Sequence, residues 1–271
     1  MKIEEIREKI RKESLRLGVD AVGFAAIEDY KSERTPDPRT LLPNVKSLVV
    51  LGYRELDGAL NSGVARISMA SRLAVMDVMK KNNYLLAKFI EDKFGATAAY
   101  PLGSYPLNMQ PPTYGLVGDL SLRHAAVAAG LGIFGRHNLV IHPVFGTRIL
   151  FMAVLTDLPF TSDPPITEEL CTHCDVCVKG CPAKALDEEG RTDPMKCLRV
   201  SQPYGIGGTI GYLGKLMGGG ADERKALLRD PMFMNLYQAS FIGFQYECFR
   251  CEASCPVGRK KGKQKKNRQT Q

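Results

Sequence analysis

"CTHCDVCVKGCPAKAL", Cys171–Leu186, is the stretch on which the reading of this 271-residue chain turns. Its four cysteines stand two, two and three residues apart, and Pro182 follows the last of them. A cube of four irons and four sulfides needs a thiolate at each iron, and a tight C-x2-C-x2-C loop wraps three corners without strain. The fourth thiolate must come from elsewhere, so the remaining cysteines decide how this half of the chain folds.

The chain has eight cysteines. A second run, Cys248-x2-Cys251-x3-Cys255-Pro256, has the same spacing, with Gln245 where its first cysteine would stand. Cys197 is the one left over. In two-cluster ferredoxins the cysteine before the proline of each run ligates the other cluster. The same crossover gives Cys171, Cys174, Cys177 and Cys255 to one [4Fe–4S] cluster and Cys181, Cys197, Cys248 and Cys251 to the other, with none remaining. C-x2-C pairs also bind tetrahedral zinc, but two runs that each close in Cys-Pro fit cluster wrapping better. His173 reads as a spacer inside the first loop. Two clusters so placed form a wire for single electrons, and a wire needs a terminus.

Upstream, Ile3, Ile6, Ile10 and Leu17 recur at helical spacing and Gly18 stops the run, predicting a helix over 3–17. "AVGFAAI" (Ala21–Ile27) and "SLVVLGY" (Ser47–Tyr53) read as buried strands on either side of a proline-rich loop. A long helix follows, its apolar stripe running through Ile67, Leu73, Met76, Tyr84, Leu86, Phe89, Ile90 and Phe94 to a stop at Gly95. A short strand near "TAAYP", a helix around Leu122–Ala129 and two strands, "NLVIHP" and "TRILFMAVLTD", complete an α/β or α+β sandwich over 1–158. "LPFTSDPPITEEL" (Leu158–Leu170), with three prolines and no periodicity, marks a boundary, so 159–257 is read as the cluster domain. Between Cys197 and Cys248 the glycine-rich "YGIGGTIGYLGKLMGGGADERK" reads as a mobile loop or lid.

The formal net charge is +8, yet seven Lys or Arg and no acid fall in the basic tail 258–271, which leaves about +1 for the rest. Such a tail is solvated, or it gives a weak electrostatic hold on RNA or an acidic partner. The start, "MKIEEIREKIRKES", lacks a signal-peptide core or a twin-arginine pair, and the longest apolar run, Ile149–Leu155, is far short of a membrane span. The expectation is a cytoplasmic protein with no membrane partner, in which cysteines are metal ligands or catalysts rather than disulfides. "AGLGIFG" (Ala129–Gly135) contains a G-x-G-x-x-G pattern, but it ends a helix and precedes a strand, the reverse of a dinucleotide fingerprint. No P-loop is present, and no D-x-H-x-x-G stretch offers a histidine as lower ligand to a corrinoid cobalt.

"AGLGIFGRHNLVIHPVFGTRILFMAVLTDLPF" (Ala129–Phe160), then the first cysteine run, "DPMKCLRVSQ" (Asp193–Gln202) and "ECFRCEASCPVG", resembles the superfamily that joins epoxyqueuosine reductases to reductive dehalogenases. "LRLGVDAVGFAAI" and "LLPNVKSLVVLGY" are similar to that family's opening, so the resemblance covers most of the chain. It implies an α+β protein: a nitroreductase-like domain holding cobalamin without a protein ligand below the cobalt, then a ferredoxin-like domain whose clusters reduce the cobalt one electron at a time. In the family the reduced cofactor removes an epoxide oxygen from a modified tRNA base or a halogen from an organohalide; the protein supplies a dry pocket, a proton donor and the wire.

Two departures stand out. The acid of epoxyqueuosine reductases, about twenty residues before the Lys of a G-K-N stretch, maps to Leu116, with Asp119 the nearest acid. The G-K-N itself reads Gly135-Arg136-His137, closer to the G-R-N of dehalogenases. The resemblance points to Arg136, a fixed cation for a developing oxyanion or halide, with Tyr114 and Asp119 flanking the proton-donor position. It points to Arg123, Gly132, Gly135, Arg136, His137 and Thr147 as cofactor contacts. Expected partners are a low-potential donor such as a ferredoxin or flavodoxin, and a small-molecule or modified-nucleoside substrate, with nucleic acid a further one. The alternative is a two-cluster electron carrier that reduces a partner, for example a corrinoid protein, with no substrate chemistry of its own.

Overall fold

The computed structural model describes residues 1–103, 108–111, 117–187, 191–242 and 246–258. Its centre is an antiparallel sheet in the order β1-β2-β6-β3, from β1 (Ala21–Ala26), β2 (Ser47–Arg54), β6 (Ile149–Thr156) and β3 (Ala98–Ala99). β2 pairs along its whole length with β6, Ser47 opposite Thr156 and Arg54 opposite Ile149. It is buried from Ser47 to Tyr53 because helices cover both faces. Residues of a strand alternate between faces, and here Leu48 and Val50 pack on one side while Val49, Leu51 and Tyr53 pack on the other.

The first face is covered by α4 (Leu122–Ala128) through Ala125, Ala126 and the following Ala129. Small residues let this short helix lie close: a Cβ on Gly23 of β1 would overlap the Ala129 carbonyl. The second face is covered by α1 (Ile3–Arg16) through Ile10 and by α3 (Ala65–Phe94) through Met79, Leu86 and Ile90. Gly95 ends α3 in the left-handed conformation at φ 62°, where a glycine has no Cβ to clash. The predicted helix over 3–17 and the two buried strands thus lie within a residue of those observed. The α3 stripe differs. Ile67 and Tyr84 are exposed, whereas Asn82 and Asn83 are buried, because α3 turns a mixed face to the sheet rather than an apolar one.

Beyond α4, a short hairpin, β4 (Ile133–Phe134) with β5 (Val140–Ile141), turns the chain back toward β6. The cysteine segment follows with α5 (Val176–Lys179), α6 (Pro194–Ser201) and α10 (Arg250–Ser254). It is fastened to the sheet by Arg148. That side chain is 1% exposed and donates to the carbonyls of Ala253, Cys255 and Val257, while its Nε lies 3.1 Å from Asp57 in α2 (Asp57–Leu60). Beside it Gly146, at φ 59°, lies so close to Val257 and Gly258 that a Cβ would overlap the Val257 carbonyl. The glycine-rich segment is not a loop: it folds into α7 (Ile206–Gly218), α8 (Ala221–Arg229) and α9 (Pro231–Ile242). Tyr212 supplies the reason, buried between them with its hydroxyl donating to the Leu227 carbonyl at 2.9 Å.

Candidate active site and cysteine centres

The structure sorts the eight cysteines into two groups. Cys171, Cys174, Cys177 and Cys255 line one concavity of about 300 Å³ together with Arg136, His137 and Ile141 of the hairpin turn and strand. Contacts between α5 and α10 bring the two runs together, and Cys197 falls within electrostatic reach of Cys181 and Cys248, as Cys251 does of Cys248 and Cys197. Among the described residues, no three His, Cys, Asp or Glu converge closely enough for a single metal ion.

The thiols of the first group differ in environment. Cys174 is exposed, and the Val176 N–H followed by the Thr172 hydroxyl lowers its pKa. Burial raises Cys177 and Cys255. The tight turn that presents them needs His173 and Asp175 at positive φ, 47° and 55°. His173 bonds Glu169 at 2.9 Å, in keeping with a spacer. In the second group burial raises Cys197, and burial with the neighbouring Glu252 pushes Cys251 up to about 12.

Cys248 and Cys251 also form part of the wall of a much larger cavity, about 1250 Å³ with the space open to solvent included, between α3, α4, β6 and the last cysteine run. Its walls are mainly apolar, with Met76, Met79, Leu122, Val140 and Phe151 among them, and three cations, Arg72, Lys80 and Arg123, face it. Arg72 is the best held. Its Nε and Nη2 donate to both oxygens of Glu55 at 2.7 Å, Nη2 also reaches Glu252 at 2.5 Å, and its guanidinium lies 5.0 Å over the Phe249 ring. Burial opposes its charge, but Glu252 and Glu55 outweigh that and raise its pKa. Glu252 is raised well above the carboxylate range, first by burial and then by its hydrogen bond to Glu55. Arg72, Glu55 and Glu252 were not singled out in the sequence; the E-C-F-R-C-E spelling that contains Glu252 was read for its cysteines alone.

The other expected residues divide. Arg123 lines the large cavity and donates to the Asn138 carbonyl, and burial followed by Arg34 lowers its pKa. Thr147 lines the same cavity, its hydroxyl donating to the Glu252 carbonyl at 2.8 Å. Arg136 does not face that cavity. The turn between β4 and β5 places it at the first cysteine group, where its N–H lies 3.4 Å from Cys171 Sγ and its Nε 3.4 Å from Asp175. His137 is there too, 3% exposed, with Nδ1 accepting from Leu139 N–H and burial lowering its pKa to about 4. Gly132 and Gly135 line neither cavity. A Cβ on either would strike Ile141 or His137, so the hairpin itself requires them. Asp119 is half-buried and lines neither cavity, and Tyr114 lies outside the described residues.

Among the described residues, no helix is long and apolar enough to cross a membrane. No protein-family model matches the chain. An epoxyqueuosine reductase of Bacillus subtilis is 22% identical over 291 aligned positions that cover 96% of this chain and 66% of the relative. One of Bacillus cereus is 23% identical over 220 residues, 73% of this chain and 57% of the relative. The chain therefore spans less than two thirds of the length of either. Among solved structures, an epoxyqueuosine reductase with an epoxyqueuosine-modified tRNA-Tyr stem loop superposes at a TM-score of 0.59, with 19% identity, over 95% of this chain and 66% of that one. A catabolic reductive dehalogenase gives 0.60 with 18% identity over 93% of this chain and 31% of that one. Sequence relatives and fold point the same way: the chain is similar to epoxyqueuosine reductases along most of its length, and its fold is like theirs and like that of a reductive dehalogenase.

Proposed function

We propose that the protein is an iron–sulfur reductase that holds two [4Fe–4S] clusters and delivers their electrons to a corrinoid in the large cavity. One observation carries this reading: Cys248 and Cys251 belong to the second cysteine group and to the cavity wall at once. The donor sets suit the clusters, since thiolates are the ligands such iron–sulfur cubes take. The cavity suits an organic cofactor, because it is concave and mainly apolar with a few charged groups, Arg72, Lys80 and Arg123, on its wall. In this reading 1–158 is a nitroreductase-like domain and 159–257 a ferredoxin-like one.

When bound, the clusters supply single electrons at low potential and the corrinoid a cobalt centre capable of reducing polarised carbon–oxygen or carbon–halogen bonds. The chain's own side chains do the rest. Leu122, Val140, Phe151 and the methionines keep water out of the cavity, which strengthens every charge interaction inside it. Arg72, Lys80 and Arg123 are placed to hold anionic groups of a ligand. Cys174, exposed at the far side of the first group, is the point of entry for electrons from a soluble donor such as a ferredoxin or flavodoxin. Arg136, beside that group, serves the first cluster rather than substrate. The relatives' names and the stem-loop complex favour a modified nucleoside as substrate class over an organohalide.

A second reading has an observation of its own. Neither Asp119 nor Arg136 reaches the large cavity, which suits an electron carrier that reduces a partner without substrate chemistry. Anaerobic reconstitution with iron, sulfide and cobalamin, followed by desalting, separates the two. Retained corrinoid whose spectrum changes on adding a low-potential reductant supports the reductase. Corrinoid that washes away while about eight irons per chain remain supports the carrier.

A further inference from the structure

One polar atom at the first cysteine group stands without a partner. His137 Nε2 is buried and, among the described residues, makes no hydrogen bond. The other ring nitrogen fixes what that atom is. Nδ1 accepts from the Leu139 N–H at 3.1 Å, so it carries no proton. An imidazole with one bare nitrogen bears its hydrogen on the other, which makes Nε2 an N–H donor. A buried donor left unpaired loses its hydration and gains nothing in return, and such groups in folded proteins nearly always meet an acceptor.

The surroundings narrow down that acceptor. The side chain is 3% exposed and lines the concavity of Cys171, Cys174, Cys177 and Cys255. Gly135 makes room for the ring, since a Cβ there would lie 2.6 Å from His137 Cε1, the carbon between the two nitrogens. With Nδ1 tied to the turn and Cε1 against Gly135, the imidazole has little freedom to swing away. Arg136, the residue before it, already directs its backbone N–H at Cys171 Sγ, 3.4 Å away. Consecutive residues of one turn thus bring two N–H donors to one sulfur-lined space.

We propose that His137 Nε2–H donates a hydrogen bond to a sulfur of the first [4Fe–4S] cluster and raises the reduction potential of that cluster. The inference rests on the cluster reading given under the proposed function. One-electron reduction adds a negative charge without making or breaking a bond, and the proton stays on nitrogen. A donor aimed at sulfur holds the more negative form more strongly, and hydrogen bonds to sulfur are among the terms that set cluster potentials. The outer end, exposed at Cys174, therefore takes its electron from a weaker reductant than it otherwise would.

The test uses His137→Asn and His137→Gln. Asparagine keeps an acceptor near the place of Nδ1 and brings no donor to that of Nε2, whereas glutamine reaches the latter with an amide N–H. Each reconstituted full chain is titrated anaerobically and followed by electron paramagnetic resonance, with Cys248→Ser identifying the transition of the first cluster. Expected in His137→Asn is a shift of at least about tenfold toward the oxidised form in that transition alone, about 59 mV for one electron. Iron content stays unchanged, and His137→Gln falls in between. In the unsubstituted chain, histidine labelled with the heavy nitrogen isotope should couple to the reduced first cluster, and His137→Asn should remove that coupling. Unmoved potentials at full iron content overturn the proposal and leave Nε2 to a buried water. A shift confined to the second cluster overturns it as well. If His137→Asn loses iron, the labelled unsubstituted chain decides, and absence of the coupling overturns the proposal. An unsubstituted chain that takes up no iron overturns the cluster reading itself, and this inference with it.

Discussion

The two cysteine groups are built from the same spacing and meet opposite surroundings. The first closes over the β4–β5 hairpin and opens to water at Cys174; the second backs onto the large cavity through Cys248 and Cys251. The supporting charges follow suit. Arg136 pairs with the half-exposed Asp175, whereas Arg72 is locked between Glu55, 1% exposed, and Glu252. One motif repeated twice thus gives a wet end and a dry end, and the difference lies in what the rest of the chain packs against each.

The largest effect expected from breaking this pair is on metal content. Cys177→Ser and Cys248→Ser should each lower iron from about eight to about four atoms per chain, read by iron assay and by electron paramagnetic resonance of the reduced protein. Full iron in either variant would remove that cysteine from its group. Arg72→Met comes next. It leaves two buried carboxylates without their cation, and removing one partner of such a buried pair costs roughly 3–5 kcal/mol. Arg136→Met, at a partner 47% exposed, should cost no more than about 1 kcal/mol. Urea melts of the two variants giving equal losses would erase the distinction between the ends. Gly146→Ala, where the two halves touch, adds a Cβ at φ 59° against the Val257 carbonyl and should cost roughly 1–3 kcal/mol; an unchanged midpoint would mean that this contact opens freely.

The smallest effects concern protons in the metal-free chain. Alkylation near neutral pH should label Cys174 first and Cys251 last, because the former's pKa is lowered and the latter's is about 12. Peptide mapping against time reads the order, and the reverse order contradicts the assignment of wet and dry ends. Stability follows the same thiol. Above the ordinary value of 9.0 an unfolded Cys251 ionises while the folded one keeps its proton to about 12, so stability is lost as pH rises through that window. Cys251→Ala should flatten this alkaline slope in denaturation curves.

How the sequence maps onto these features depends on distance along the chain. That Cys171, Cys174, Cys177 and Cys255 lie around one concavity fits the spacing of the two runs, which sets which thiols short loops can bring together. β1, β2, α1 and α3 were readable because their burial follows local periodicity. The Arg72 network was not, since Glu55 lies 17 and Glu252 180 residues away and nothing local marks an arginine as buried. Arg148 is a similar case, its partners more than 100 residues on. The glycines of 206–220 misled in the other direction: their low helix propensity suggested a loop, and packing around Tyr212 overrides it. Arg136 lies at the first cysteine group and not at the large cavity, a placement hidden in the sequence because the hairpin turn that points it toward Cys171 shows there only as Gly-Arg-His-Asn.

The crossover also has a consequence for synthesis. Cys255 completes the first group, and Cys248 and Cys251 complete the second, so a nascent or truncated chain that stops before residue 248 carries five of the eight cysteines and can finish neither site. Arg148, already made, has by then no carbonyls of 253–257 to bind. If the two groups hold clusters as proposed, their loading would be tied to having translated nearly the whole molecule, and an incomplete product would be left with open thiols and a cation deprived of the carbonyls that bury it.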